Sequence, residues 1–405
     1  MPFTITNRTE RGNFRSSLNF SAVFFHDAVL GVAAVWCRFG IRVALCWLST
    51  LRPSPSETVS IHMICRTAKS TRSIRLGWGQ LFGRPAVWLA GCLSLTLAAP
   101  AELERHEYSA DAMGGAFSVT LYSASRVNAD AAAAAAFTEL HRLDQMLSNY
   151  RPESEWSRVN DAAARHPVEI SQELLDLLSE CLQYSRRSGG AFDITVGPLV
   201  KAWGFYDGLG RFADGDAVQE ALTNVGSAHI QLDLVNRTVR FARAGMELDP
   251  GGIGKGYAVD CMAGVLKRHG IGRALVSAAG SSIYALGNPP GQKGWPVTLL
   301  DPMMTDRHAE KFMIKDESLS TSGRTRKSFR FNGQVYSHIL DPRTGYPVQG
   351  VLLVAVTAPR ALDSEAWTKA CFVNGRRWSA QHIPPGFRVF FCEEDAAGSR
   401  CGFLP

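Results

Sequence analysis

Polar and apolar residues alternate along Phe117-Ser-Val-Thr-Leu-Tyr122, the period of two that buries one face of a β-strand. Further on, apolar positions recur at helical spacing over Ala129–Leu147 and again over Ser171–Ser188, where Gly189 and Gly190 stop the helix. Ile230–Leu234 and Thr238–Phe241 return to a strand pattern around a turn at Asn236. The spacing predicts a helix over Tyr257–His269, ended by Gly270. Ala274–Ser277, Ile283–Leu286, Trp295–Leu300, Gln334–Leu340 and Leu352–Thr357 read as strands, and Asp363–Phe372 as a helix. Helices and strands mix without β-α-β alternation, which predicts an α+β fold with largely antiparallel sheet in one continuous domain and no internal repeat.

The first hundred residues follow a different pattern. Residues 1–84 are rich in Arg, poor in acid and without clean periodicity, and then Pro85–Ala99 forms one apolar run. That run is short for a membrane span and suits the core of a signal peptide, with Arg66, Lys69, Arg72, Arg75 and Arg84 as its basic flank and Ala99-Pro-Ala101 as a cleavage region. Leu89-Ala-Gly-Cys92 also has the form of a lipoprotein box, which would anchor the mature chain through Cys92, but the apolar run continues past it and favours cleavage near Ala101. The expectation is therefore a leader over residues 1–101 (signal peptide about 63–101) and a functional domain over 102–405, exported to the periplasm. Residues 1–62 sit awkwardly upstream of such a signal, and a translation start at or after Met63 would remove them. A second apolar patch, Phe20–Leu51, is broken by His26, Asp27, Arg38 and Arg42.

Composition narrows the chemistry. The formal net charge is +6, but much of it comes from the leader, and the remainder has no Lys/Arg block interleaved with aromatics, which argues against nucleic-acid binding. Cys181, Cys261, Cys371, Cys392 and Cys401 follow the leader without a C-x-x-C, which disfavours zinc. Cys392 and Cys401 are close enough in sequence to pair in an oxidising compartment.

Two segments carry candidate chemistry. In His338-Ile-Leu-Asp-Pro-Arg-Thr-Gly-Tyr-Pro347, Pro342 removes a backbone donor and Gly345 permits positive φ, so a tight turn follows a strand and places His338 beside a rigid loop. A lone His in such a place is often a packed core residue. In Leu248-Asp-Pro-Gly-Gly-Ile-Gly-Lys-Gly-Tyr257, four glycines within six positions and Lys255 lead into a helix beginning near Gly256. Such a turn suits an anion. It is neither a G-x-G-x-x-G nor a P-loop, and a glycine-rich connection that packs a helix onto a sheet would look the same.

The order of these segments resembles the ApbE family of FAD:protein FMN transferases. The likeness spans about Met113–Gly375 and rests on Met113-Gly-Gly-Ala-Phe-Ser118, Ser148-Asn-Tyr-Arg-Pro-Glu153, Ser188-Gly-Gly-Ala-Phe-Asp-Ile-Thr-Val-Gly-Pro198, the glycine-rich loop, Ser320-Thr-Ser-Gly323 and the His338 block. It implies an ApbE-like, T-fold-related single globular domain with mixed, largely antiparallel sheets and packed helices. It also implies a reaction: FAD is cleaved at its pyrophosphate, FMN passes to a Thr or Ser hydroxyl of an acceptor protein, and AMP leaves. The implied acceptor belongs to a respiratory or electron-transfer system. By this resemblance His338 is the general base and Asp341 orients the site. Ser148, Tyr150, Asp193, Thr195, Gly252, Lys255, Ser322 and Lys369 would line the FAD site, with Tyr150 on the flavin ring. The carbonyl of Gly254 and the carboxylate of Glu365 would face Mg²⁺. Trp203 and Phe205 fit either a flavin site or an ordinary aromatic core.

The chain departs from the family pattern at the metal. Where the family has Ala-Asp-Ala-Leu-Ala-Thr-Ala, whose Asp and Thr help hold Mg²⁺, this chain reads Ser364-Glu-Ala-Trp-Thr-Lys-Ala370. Glu365 stands for Asp and Lys369 for Thr, and an ammonium has donors only. Lys369 then either supplies the metal's charge itself or lies on a solvent-facing side of the helix, with Asp363 or Thr368 as ligand in another register. Ser277-Ala-Ala-Gly-Ser-Ser-Ile283 likewise lacks the acid of the family's Asn-x-Gly-Gly-Asp. Competing readings are a non-catalytic periplasmic FAD-binding protein and an FAD pyrophosphatase.

Overall fold

The computed structural model describes residues 102–405 apart from 305, 325, 326, 396 and 397, and upstream only the backbone of two short antiparallel hairpins, Val32–Trp36 with Arg42–Cys46 and Cys65–Thr67 with Ser70–Arg72. The expected signal core, the Cys92 box and the cleavage region lie outside the described residues. Among the described residues no helix is long and apolar enough to cross a membrane.

Eight strands build the central sheet: β1 (Glu104–Ala112), β2 (Gly115–Ser123), β3 (Ala274–Ala278), β4 (Ser282–Leu286), β5 (Glu317–Gly323), β6 (Val351–Ala358), β7 (Arg388–Asp395) and β8 (Gly398–Phe403). They lie side by side in sequence order, each antiparallel to the next. The strand pairings among the described residues are all antiparallel; the only parallel pairing is an isolated bridge, Val196 to Glu247. The β1–β2 turn is Met113-Gly114, both at positive φ (49° and 69°), the two-residue geometry whose twist matches antiparallel strands. The segment Met113–Ser118 therefore supplies a turn as well as the start of a strand.

Among the described residues, seven α-helices sit in the connections: α1 (Arg126–Leu147), α2 (Glu155–Ala162), α3 (Gln172–Arg187), α4 (Gly197–Ala202), α5 (Gly215–Leu222), α6 (Gly254–Arg268) and α7 (Ala361–His382). The pattern places α3 correctly because its ends are chemical: Ser171 Oγ accepts the Leu174 N–H, and Ser188 is the C-cap before Gly189 at φ +63°. In α1, Ala129, Ala132, Ala133 and Ala136 form a fully buried small-residue face; α1 packs closely against α6 and over β1 and β2, where Phe117, Val119 and Leu121 are buried, while α6 covers β3 and β4. The opposite face of the sheet is covered by a separate hairpin, Trp295–Leu300 with His308–Ile314, which buries Trp295, Phe312 and Ile314 against Ile283, Leu319 and Phe390. α7 extends beyond the expected Asp363–Phe372 and is broken at Gly375 (φ 77°, ψ 174°). Cys392 and Cys401 stand opposite one another on β7 and β8 and form a disulfide.

Helices α6 and α7 cap one another. Neither has a side-chain cap on its own N-cap residue. Instead both carboxylate oxygens of Asp260, in α6, accept the Ala361 and Leu362 N–H groups at 2.8 and 2.9 Å. Glu365, in α7, accepts the Gly256 N–H. Each carboxylate thus satisfies donors that a helix leaves unpaired in its first turn, and each sits at the positive end of a helix dipole.

Candidate active site

His338 follows the strand Gln334–Ser337, whose hairpin with Ser328–Phe331 turns at Asn332-Gly333. The expected strand Gln334–Leu340 ends three residues early, at Ser337, and one further rung follows in the same register: the His338 N–H donates to the Lys327 carbonyl at 3.0 Å. The His338 Nδ1 lies 3.1 Å from the same oxygen. A carbonyl can only accept, so Nδ1 carries the proton and Nε2 keeps its lone pair. The ring is half-buried, edge-on to Phe205 at 6.4 Å. Loss of hydration first, and then the charges of Lys369, Lys327 and Lys255, push its pKa down to about 4. His338 is therefore a neutral imidazole at pH 7, its free nitrogen in a cationic cleft.

Asp341 does not touch His338. Its two oxygens hold Arg343 Nε and Nη2, both at 2.9 Å, and one also accepts the Arg343 N–H. Arg343 in turn donates to Asn374 beside the α7 break. The turn's Gly345, at φ +81°, gives its carbonyl to the buried Trp203 indole at 2.8 Å, and a Cβ there would meet Val218 at 2.7 Å. Asp341 orients the site only by locking this turn. Trp203 and Phe205 are buried members of the adjacent aromatic core.

The glycine loop forms a 3₁₀ turn, Pro250–Gly252, and then α6, which starts at Gly254. Asp249 closes the turn through its own side chain, which accepts the Gly251 N–H at 2.8 Å and the Asn149 amide at 3.2 Å. Burial raises the pKa of Asp249, opposed by the Gly251 bond and by Lys327 and Lys255. A Cβ on Gly252 would lie 3.9 Å from Lys369 Cγ, so the loop and that lysine share the cleft. Lys369 is mostly buried, and loss of hydration together with Lys255 lowers its pKa against the pull of Glu365. It faces the cleft, not solvent.

Next to this cleft lies a cavity of about 300 Å³ lined by Asn149, Asn160, Lys201, Tyr206, Glu247 and Asp249. Its rim carries an aromatic pair: Tyr150 lies 4.7 Å from Tyr206, and each hydroxyl donates to backbone of the other's loop (Tyr150 to Tyr206 O, Tyr206 to Asn149 O). Tyr150 stays exposed, its ring accessible to a planar ligand. Ser148, the α1 C-cap, receives the Tyr150 N–H and supports this loop.

Three expected ligand contacts are turned inward instead. Asp193 is buried and accepts both the N–H and the hydroxyl of Thr195 and the Ser227 N–H, while Thr195 Oγ1 accepts the Gly226 N–H. Their hydrogen bonds fix the loop before α4 and leave neither aimed at the cleft. Ser322 is buried and donates to Thr368 Oγ1, which donates to the Glu365 carbonyl. All three act as supports, because burial requires that a polar group find its partner within the protein.

The residues do not fit Mg²⁺. Glu365 has one oxygen on the Gly256 N–H and the other 3.5 Å from the Lys369 ammonium. Thr368 is engaged with Ser322, and Asp363 with Arg360 and Tyr184. A single carboxylate already committed to two donors falls far short of an octahedral oxygen set. Among the described residues the one close grouping of acidic or Cys ligands, Glu139, Glu173 and Cys261, lies elsewhere, and Arg142 bridges its two glutamates.

Pattern reading did not single out Lys327, Asn149, Tyr206 or Asp260. Asn149 lay between two chosen residues and Asp260 just past the glycine segment, but Lys327 belongs to no motif and reaches His338 only through the folded hairpin.

A family model described as the ApbE family matches residues 113–390. An FAD:protein FMN transferase of Klebsiella pneumoniae is 31% identical over 330 residues, covering 79% of this chain and 93% of the relative. One from Treponema pallidum is 34% identical over 276 residues, covering 64% and 76%. Among solved structures, the ApbE protein of Thermotoga maritima superposes with a TM-score of 0.68 at 28% identity, over 74% of this chain and 96% of that one. The apo flavinyl transferase ApbE of Pseudomonas stutzeri gives 0.67 at 26%, over 75% and 95%.

Proposed function

The chain belongs to the ApbE family, and from that membership we propose that it is an FAD:protein FMN transferase, with FAD as substrate and an acceptor protein as second substrate. The observation that carries the site is His338: Nδ1 is held as a donor by Lys327, so Nε2 is the base. The acceptor hydroxyl oxygen bonds to the FMN phosphorus as its proton passes to Nε2. The bond from the FMN phosphorus to the bridging oxygen breaks, and the electron pair stays on that oxygen, which leaves as part of AMP. Lys255, Lys327 and Lys369 offset the charge of the pyrophosphate, because phosphoryl transfer depends on positioning and electrostatics. Tyr150 and Tyr206 offer the flavin a face, and Gly252 and Lys255 bring backbone and charge to the phosphates.

The finer reading is of an exported enzyme, processed near Ala101, that flavinylates a Thr or Ser of a respiratory or electron-transfer protein in the periplasm. The apolar run Pro85–Ala99 with its basic flank supports export, and the Cys392–Cys401 disulfide suits an oxidising compartment. N-terminal sequencing of the cell-envelope form tests it; an uncleaved cytosolic chain would end that reading.

Transfer itself is tested with FAD and a flavin-acceptor domain, reading in-gel flavin fluorescence after denaturation. His338→Ala should slow labelling by roughly 10²–10⁴-fold, the usual contribution of a positioned base. Labelling at the wild-type rate would remove His338 from the mechanism, and FMN release without acceptor would indicate a pyrophosphatase.

A further inference from the structure

The place where the family pattern puts a metal ligand holds Lys369, and the carboxylate beside it is already spent. Glu365 is 2% exposed, and one oxygen caps α6 at Gly256 while the other faces the Lys369 ammonium at 3.5 Å. Such a pair has a fixed sense: the buried glutamate holds the lysine stem, and the ammonium points from an i, i+4 position into the cleft that Gly252 and Lys255 border. The neighbouring oxygens are not in reserve, since Thr368, Ser322 and Asp363 each have other partners. We infer that this enzyme transfers FMN without a divalent cation, with the Lys369 ammonium, anchored by Glu365, supplying the positive charge against the pyrophosphate of FAD.

The inference rests on the flavin-transfer reading and deepens it. An ammonium is a point donor with three N–H groups; it can follow the bridging oxygen as charge develops there and that oxygen leaves on AMP, and it needs no octahedral shell. Lys255 and Lys327 stay as the further cations of the same cleft, their charges felt at His338 together with that of Lys369.

The test uses the purified protein with two readouts, FAD binding by calorimetry and acceptor labelling by flavin fluorescence, each in Mg²⁺ and in EDTA. The wild type should bind FAD equally and label at the same rate, within about twofold, in both. Lys369→Gln should weaken FAD binding and slow labelling by roughly 10- to 100-fold, the range of a charged hydrogen bond, with no rescue by Mg²⁺. The double variant Glu365→Asp with Lys369→Thr should restore the family's ligand pair and become Mg²⁺-dependent in both readouts. Circular dichroism of each variant separates misfolding from loss of charge, and Lys369→Arg, which keeps the charge, should retain most of the FAD affinity. Binding or labelling of the wild type that is lost in EDTA overturns the inference while leaving the transferase reading intact. FAD binding without any labelling, in either condition, overturns the transferase reading and this inference with it.

Discussion

Gly256 and Gly254 lie two residues apart in the same glycine-rich segment, yet the structure separates their roles. A Cβ on Gly256 would fall 2.4 Å from the Ala361 carbonyl oxygen, 2.8 Å from its carbon and 2.8 Å from Glu365 Oε2. The carbonyl cannot retreat cheaply, because Asp260 holds the Ala361 and Leu362 N–H groups. A Cβ on Gly254 would meet only Pro250 Cβ at 3.7 Å, an ordinary contact. Ala in place of Gly favours a helix by about 1 kcal/mol. At Gly256 overpacking opposes this with about 1–3 kcal/mol, and loosening of the charged Gly256–Glu365 hydrogen bond adds about 1.5–3 kcal/mol. The clash wins, and Gly256→Ala should destabilise by about 1.5–5 kcal/mol, a fall in Tm of roughly 2–8 °C for a domain of about 300 residues. Gly254→Ala should be neutral or slightly stabilising. Differential scanning calorimetry of both variants decides the matter. A Gly256→Ala protein as stable as wild type, or a Gly254→Ala protein equally damaged, would refute the claim that close helix approach fixes this glycine. Because Glu365 also anchors Lys369, Gly256→Ala should weaken FAD binding as well.

Three further outcomes follow from the same geometry. With its pKa near 4, His338 should place the acid limb of kcat/KM close to pH 4, whereas the FAD pyrophosphate offsets the lysines and should raise the limb seen in kcat; coincident limbs would show that the lysines do not face the phosphates. The sign for stability is fixed too: between about pH 6.5 and 4 the unfolded chain takes up a proton that folded His338 does not, so this residue costs stability as pH falls through that window, and His338→Gln should lessen the acid loss in urea unfolding. Trp203→Phe keeps the buried ring but orphans the Gly345 carbonyl, and should cost about 1–3 kcal/mol, with an unchanged urea midpoint sinking the proposed tie between the His338 turn and the aromatic core.

Legibility followed the range of the forces involved. The ends of α3 were readable because Ser171 and Gly189 act on their own neighbouring backbone, and the Pro342–Gly345 turn because φ restrictions are local. Of the hairpin Ser328–Ser337 the strand from Gln334 was legible, but its partner Ser328–Phe331 was missed despite the Asn332-Gly333 turn signal, as that short strand is mostly exposed and carries little alternation. Asp193, Thr195 and Ser322 were misread because a polar residue in a motif looks the same whether it meets a ligand or a buried N–H; only burial and partner geometry tell them apart.

The sequence by itself determined the family, the α+β class, the candidate base His338 beside a rigid turn and the presence of Lys369 in the segment after Glu365, since each depends on residue identity at fixed spacing. The tertiary structure alone decided what those groups face. It brought Lys327, distant in any motif sense, to fix the His338 tautomer. It turned the glycine loop towards α7, and it made Asp260 and Glu365 reciprocal caps rather than ligands. The reason is that hydrogen-bond satisfaction and charge pairing between α6 and α7, whose capping residues lie about a hundred positions apart, are properties of packed surfaces, and no local periodicity encodes which donor a buried carboxylate will meet.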